Sequence, residues 1–280
     1  MAERKHFSKE LFGFLEELKQ NNTREWFLAN KDRYRAAVQE PLLGFISKFA
    51  ERLHDISPNF VADPRPSGGS MFRIYRDVRF SKDKSPYKTH AAAQFRHCAG
   101  RDAHAPGFYL HLEPGSVFGG AGLWHPPREA LDEIRQAIAE KPEEWLSVLA
   151  ESRFARHHDL TGESLKRAPR GYDPEHPLIE DLKRKDFVCV ERFTQAKACS
   201  ASFLDTFAES CRAAGPFVRF LTEAVGQEFS IRNEELGMRN SSHPDAGRRV
   251  QAQGTPARSG TETWTLNPVP GLVGGQRSNV

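Results

Sequence analysis

Eighteen residues from Met71 to Lys88, MFRIYRDVRFSKDKSPYK, hold six basic side chains, two carboxylates and four aromatics. Such a set suits anion capture, because a guanidinium fork donates two parallel hydrogen bonds to one phosphate or carboxylate and a lysine adds a compact charge. Arg73, Arg76, Arg79, Lys82, Lys84 and Lys88 are the candidate anion ligands. Asp77 stands between arginines, where it can orient them or exchange a proton. Tyr75, Tyr87 and Trp124 are candidate pocket walls. The plainer reading is a structural network of ion pairs, since an aspartate with an arginine two positions away on each side is well placed to be paired internally.

A second segment, Leu165 to Pro177, repeats the theme of base beside aromatic with Lys166, Arg167, Arg170 and Tyr172. Four acidic residues follow closely, so a solvated turn of mixed charge is the simpler account. Lys166, Arg167 and Tyr172 join the site only if the two loops meet in space. His111 and Glu113 share the polar side of the run GFYLHLE, and His111 is the best candidate general acid or base. His90, His97, His104 and His111 recur every seven residues, but that spacing lacks the HExxH or Cys/His arrangement of zinc sites, and no metal is expected. The glycine clusters at 67–70 and 119–122 have neither a phosphate-loop nor a dinucleotide pattern, so no cofactor is expected either.

These groups need a scaffold. Ser8 followed by Leu11, Phe14, Leu15 and Leu18 predicts a helix over 8–20. Asn22 with Glu25 reads as the capping box of a second helix, and Pro41 opens a third with Leu42, Phe45, Ile46, Phe49 and Leu53 on its stripe. From Met71 the period becomes two: Arg73, Tyr75, Asp77, Arg79 and Ser81 on one face of a predicted strand, Phe72, Ile74, Val78 and Phe80 on the other, before a loop over 82–86. A short strand over 91–95 follows, then a hairpin over 107–124 turning at Pro114-Gly115. Helices over 131–138 and 142–149, a strand over 187–193 and closing helices over 203–224 complete the pattern. Helices first, strands in the middle and helices last predict a single α+β domain, its antiparallel or mixed sheet flanked by N-terminal and C-terminal helices.

All twenty phenylalanines lie at or before Phe229, whereas the last fifty-one residues hold one aromatic, Trp264. The domain is therefore expected over 1–229, with a disordered tail over 230–280 that cannot bury enough apolar surface to offset backbone ordering. A net charge of +3 is too small to declare a nucleic-acid binder. Four cysteines without paired spacing read as reduced thiols, and with no apolar run of membrane length the expectation is a cytoplasmic protein.

The segments FLEELKQNN and TREWF, FRIYRDVRFSKDKSPYK, GFYLHLEPG with GGAGLW, and LKRAPRGYDPEHP occur in an order that resembles the bacterial and fungal family called domain of unknown function 2461. The resemblance runs from about Phe7 to Leu221 and implies one α+β domain, with no established activity to carry over. His90 departs from the family pattern, where a small polar residue such as asparagine is expected.

Together these features predict a basic pocket for a phosphorylated or otherwise anionic small molecule, with enzymatic action on it left open. The alternatives are a module for RNA or single-stranded DNA, with two basic loops following the backbone and tyrosines stacking on bases, and a protein-interaction domain in which the motif is a structural knot. Salt separates the first two, because a polynucleotide site releases several counterions.

Overall fold

A computed structural model of the chain describes residues 5–100 and 105–231. His104 and nearly all of the predicted tail lie outside the described residues. The N-terminal helices follow from the expected stripes. Helix α1 (Lys9–Gln20) is capped by Ser8, whose hydroxyl accepts from the Glu10 N–H, and it buries Leu11, Phe14, Leu15 and Leu18. Helices α2 (Arg24–Ala29), α3 (Lys31–Tyr34) and α4 (Glu40–Ile56) come next, with a wider π-helical turn, Arg35–Gln39, joining α3 to α4. That turn ends just before Pro41, whose ring and missing N–H disturb the ordinary α ladder behind it.

The sheet has the order β1-β2-β3-β5-β4, with every neighbour antiparallel: β1 Ala91–Arg96, β2 Gly107–Glu113, β3 Ser116–Leu123, β4 Asp159–Thr161 and β5 Phe187–Phe193. Gly115, at φ +78°, makes the tight β2–β3 turn that Pro114-Gly115 predicted. One face of the sheet carries Ala93, Phe95, Phe108, Leu110, Leu112, Ala121, Phe187 and Cys189, all buried. Against it pack α4 and the C-terminal helices α10 (Phe203–Ala213) and α11 (Gly215–Ala224), with Phe49 meeting Phe95 at 4.6 Å and Phe207 at 5.0 Å. Each such phenylalanine contributes roughly 1.5–3 kcal/mol through burial. Helices α5 (Arg128–Glu140), α6 (Pro142–Ala150) and α7 (Ser152–His157) extend this layer beside α10 and α11, while α8 (Ile179–Leu182) and α9 (Gln195–Ala198) are short connectors. The result is a single α+β domain with helices from both ends of the chain on an antiparallel sheet. No helix of the described residues is long and apolar enough to cross a membrane.

The segment 71–88 is not the predicted strand. Met71 pairs with Ala93, Phe72 N–H donates to the Ala92 carbonyl and Gln94 N–H to that of Ser70, so 70–72 lies along the outer edge of β1. The chain then forms a narrow irregular hairpin in which Arg76 N–H donates to Pro86 O, Lys88 N–H to Ile74 O, and Tyr75 bridges Tyr87. Asp77 accepts from the Arg79 N–H and Asp83 from the Ser85 N–H. Those side chains compete with a ladder for the backbone donors, which is why the period of two misassigns the faces. Ile74 is buried as expected, but Phe80 is 96% exposed.

Asn22 also differs from its expected role. Thr23, not Asn22, caps α2, accepting from the Trp26 N–H. The Asn22 amide instead grips both backbone groups of Tyr87, donating to its carbonyl at 3.0 Å and accepting from its N–H at 3.1 Å, while the Tyr87 ring stacks on Phe27 at 4.1 Å. Asn22→Ala strips two backbone groups of their partners and should cost about 2 kcal/mol in urea unfolding. A loss below about 0.5 kcal/mol would show that water replaces the amide there.

Candidate functional site

Strand alternation sends Tyr109, His111 and Glu113 to the sheet face opposite the helical layer. Register does the rest. His111 pairs with Ala92 on one side and Phe118 on the other, so His90, two residues before Ala92, comes to lie beside His111 with ring centroids 4.5 Å apart. Phe118 stacks on His111 at 4.6 Å.

A hydrogen-bonded row crosses this face. The Tyr109 hydroxyl lies 3.0 Å from His111 Nδ1, His111 Nε2 lies 3.3 Å from Glu113 Oε2, and the Thr89 hydroxyl donates to Glu113 Oε1 at 3.1 Å. A neutral imidazole that accepts at Nδ1 and donates at Nε2 satisfies every member of the row. Burial pushes the Tyr109 phenol far up, so it stays protonated. Burial also pushes Glu113 up, but the hydrogen bond and electrostatic attraction of His111, then of His90, and the hydrogen bond from Thr89 outweigh it and hold this carboxyl below its ordinary range. His90 is pushed down to about 3 by burial, then by His111 and Lys88.

Next to this row lies a groove with a volume of about 110 Å³. Phe72, Tyr109, Phe118 and Trp124 wall it, and Gly120, Gly122 and Val190 line it between them. Gly120 supplies space: a Cβ added there would come no nearer than 3.6 Å to Tyr109. Phe72 links this groove to Lys88, whose ammonium lies 5.2 Å from the centre of the Phe72 ring. Lys88 is only 7% exposed, and among the described residues no carboxylate lies within ion-pair distance of it. Burial, helped by the charge of Arg73, brings its amine down to about 8.

The predicted residues divide clearly. His111 stands in the row, Trp124 lines the groove and Lys88 lies against the groove's Phe72, with Arg73 close enough to act electrostatically on Lys88 and Arg76 on His90. Arg76 is itself paired with Asp83. Arg79 is clasped by Asp77 through Nε at 3.0 Å and Nη2 at 2.6 Å, so Asp77 anchors an arginine as the plainer reading had it. Lys84 donates to the Val78 carbonyl at 2.9 Å, and Lys82 is exposed. Tyr87 is core rather than wall, and Tyr75 packs on Tyr87 at 5.3 Å.

Lys166, Arg167 and Tyr172 do not converge on the first loop. They follow β4, at the sheet edge opposite β1, about 20 Å away across four strand spacings. Tyr172 lies within electrostatic reach of Arg135 on α5 instead. The residues that sequence reasoning missed are Tyr109, His90 and Phe72. Tyr109 was legible from the alternation that exposed His111, whereas the other two depend on register and on the edge segment.

No curated protein and no solved structure matches the chain. Residues 10–220 match the profile of a family described as conserved hypothetical protein DUF2461, in agreement with the motifs at 71–88 and 107–124, and the chain belongs to that family.

Proposed function

We propose that the chain is a cytoplasmic protein that binds an anionic small molecule on the helix-free side of the sheet. The apolar part of the ligand enters the groove, and its phosphate or carboxylate meets Lys88 with Arg73 and Arg76 beside it. The observation that carries this reading is Lys88 itself. An ammonium withdrawn from water among cations is costly, and its ring contact with Phe72 recovers only about 0.5–2 kcal/mol. A bound anion supplies the missing countercharge. The groove suits a small ligand, holding roughly four water volumes.

Calorimetric titration of the full chain with inorganic phosphate and short organic phosphates and carboxylates tests this. Lys88→Met, which keeps the buried stem, should weaken every anion at least about tenfold, a change of about 1.4 kcal/mol. Gly120→Val fills the groove and should weaken organic anions while sparing inorganic phosphate. Equal affinities in wild type and Lys88→Met would sink the reading.

A second reading rests on Phe80. Its ring is almost wholly exposed beneath the Arg79 guanidinium at 5.8 Å, with Lys82 and Lys84 nearby, a combination that can stack a nucleic-acid base. Oligonucleotide binding that falls steeply with salt and is lost in Phe80→Ala would favour it.

A further inference from the structure

The anion reading explains why a cation sits against the groove residue Phe72 but not why that cation is a lysine. Arg73, Arg76 and Arg79 show that the segment uses arginine where permanent charge serves. Arginine keeps its proton under all ordinary conditions, whereas a buried lysine can release one and become a nucleophile. Lys88 has the surroundings for that change: a buried stem, an aromatic neighbour, no carboxylate among the described residues within ion-pair distance to hold its proton, and the His90 imidazole within electrostatic reach. We propose that Lys88 forms an imine with an aldehyde or ketone that also bears an acidic group. This proposal rests on the anion site described above and narrows its ligand to carbonyl compounds.

The chemistry balances within the site. The neutral Lys88 amine attacks the carbonyl carbon, a C–N bond forms, and the carbonyl π pair moves to oxygen. One proton passes from nitrogen to that oxygen to give a carbinolamine. A second proton delivered to the hydroxyl lets it leave as water while the nitrogen lone pair closes the C=N bond. That proton comes from solvent, since burial keeps His90 unprotonated at neutral pH, and the Tyr109–His111–Glu113 row holds His111 in orientation beside His90. No electron is gained or lost, and no further reactant is required.

At pH 7 an amine that titrates at about 8 is neutral in roughly one molecule in ten, against fewer than about one in a thousand for an ordinary lysine. Burial and then Arg73 on the same segment set this behaviour, while neighbouring His90 feels Lys88 together with His111, Glu113 and Arg76. Lower basicity also makes the amine a poorer nucleophile, so the gain in rate is smaller than the gain in neutral fraction.

The test treats the full chain with glyoxylate, an anionic aldehyde, or with acetaldehyde, in the presence of cyanoborohydride, and maps alkylated lysines by peptide mass spectrometry. At neutral pH, Lys88 should be labelled at least about tenfold faster than the exposed Lys82, with a half-rise near pH 8 and with glyoxylate ahead of acetaldehyde. Labelling of Lys88 no faster than Lys82 overturns the proposal. Inorganic phosphate separates the two readings. If phosphate raises the melting temperature yet Lys88 resists both aldehydes, the anion site stands and the imine falls. If Lys88 reacts rapidly with both aldehydes and phosphate neither slows it nor shifts melting, the imine chemistry of Lys88 stands, while the anion site and with it the acidic group of the ligand fall.

Discussion

Gly122→Ala is expected to cost roughly 4 kcal/mol of the stability of the fold, whereas Gly120→Ala, two residues earlier in β3, should leave it within about 1 kcal/mol of wild type. Gly122 has φ +116°, a conformation that costs an L-residue about 1–3 kcal/mol. A Cβ there would also fall 2.0 Å from the Phe187 carbonyl oxygen and 3.0 Å from the Phe217 ring. Neither obstacle is the loose end of a flexible side chain. Relief requires β3 and β5 to part at the Gly122–Val188 pair, and the combined loss should reach roughly 4 kcal/mol against a usual total of about 5–15. At Gly120 the nearest contacts are at ordinary van der Waals range. Urea unfolding of the two variants provides the comparison, and equal midpoints would show that β3 and β5 are not held at the described register.

Acid should unfold the protein in a range where histidines, rather than carboxylates, titrate. Burial holds His90 at about 3 and His158 at about 4, against 6.5 for an ordinary imidazole. His158 lies on Phe154 with Nε2 3.3 Å from the Ser210 hydroxyl, and its Nδ1 is buried without a partner. Below pH 6.5 the unfolded chain takes up protons at both positions while the folded chain does not, so stability falls as pH falls. Each histidine contributes a slope approaching about 1.4 kcal/mol per pH unit, and together they should remove about 4 kcal/mol between about pH 6.5 and 4.5. Ordinary carboxylates complete most of their titration below this window. Urea midpoints across it, compared with His90→Asn and His158→Asn, check the assignment. A variant lacking both imidazoles that loses as much stability as wild type would assign the effect to other groups.

Much of the helical layer could be read directly, because the stripe of α4 and the Ser8 cap are local patterns. The β2–β3 hairpin was equally legible from GFYLHLE and Pro114-Gly115. The site was legible only in part. His111, Glu113 and Lys88 stood out by type, but His90 reaches His111 through the pairing of Ala92 with His111, and such pairing has no local signature. The basic motif misled in another way. Its alternation suggested a strand, while Asp77 and Asp83 bent the backbone onto their own side chains. Lys166 and Arg167 resembled a second half of the site until the strand order placed them at the far edge.

The run from Ser70 to Phe72 has a meaning for solubility as well as for binding. An open strand edge is a template on which another chain can stack, and proteins guard such edges by covering them or keeping them short. The edge at β4 is three residues long. That at β1 is longer, and its outward groups, the Ala92 and Arg96 carbonyls and the Gln94 N–H, are taken by Phe72, Val61 and Ser70. The segment that delivers Lys88 to the groove is thus also a guard against self-association. A proteolytic cut in the exposed turn around Phe80 loosens both duties at once, leaving β1 open to aggregation as the anion site comes apart.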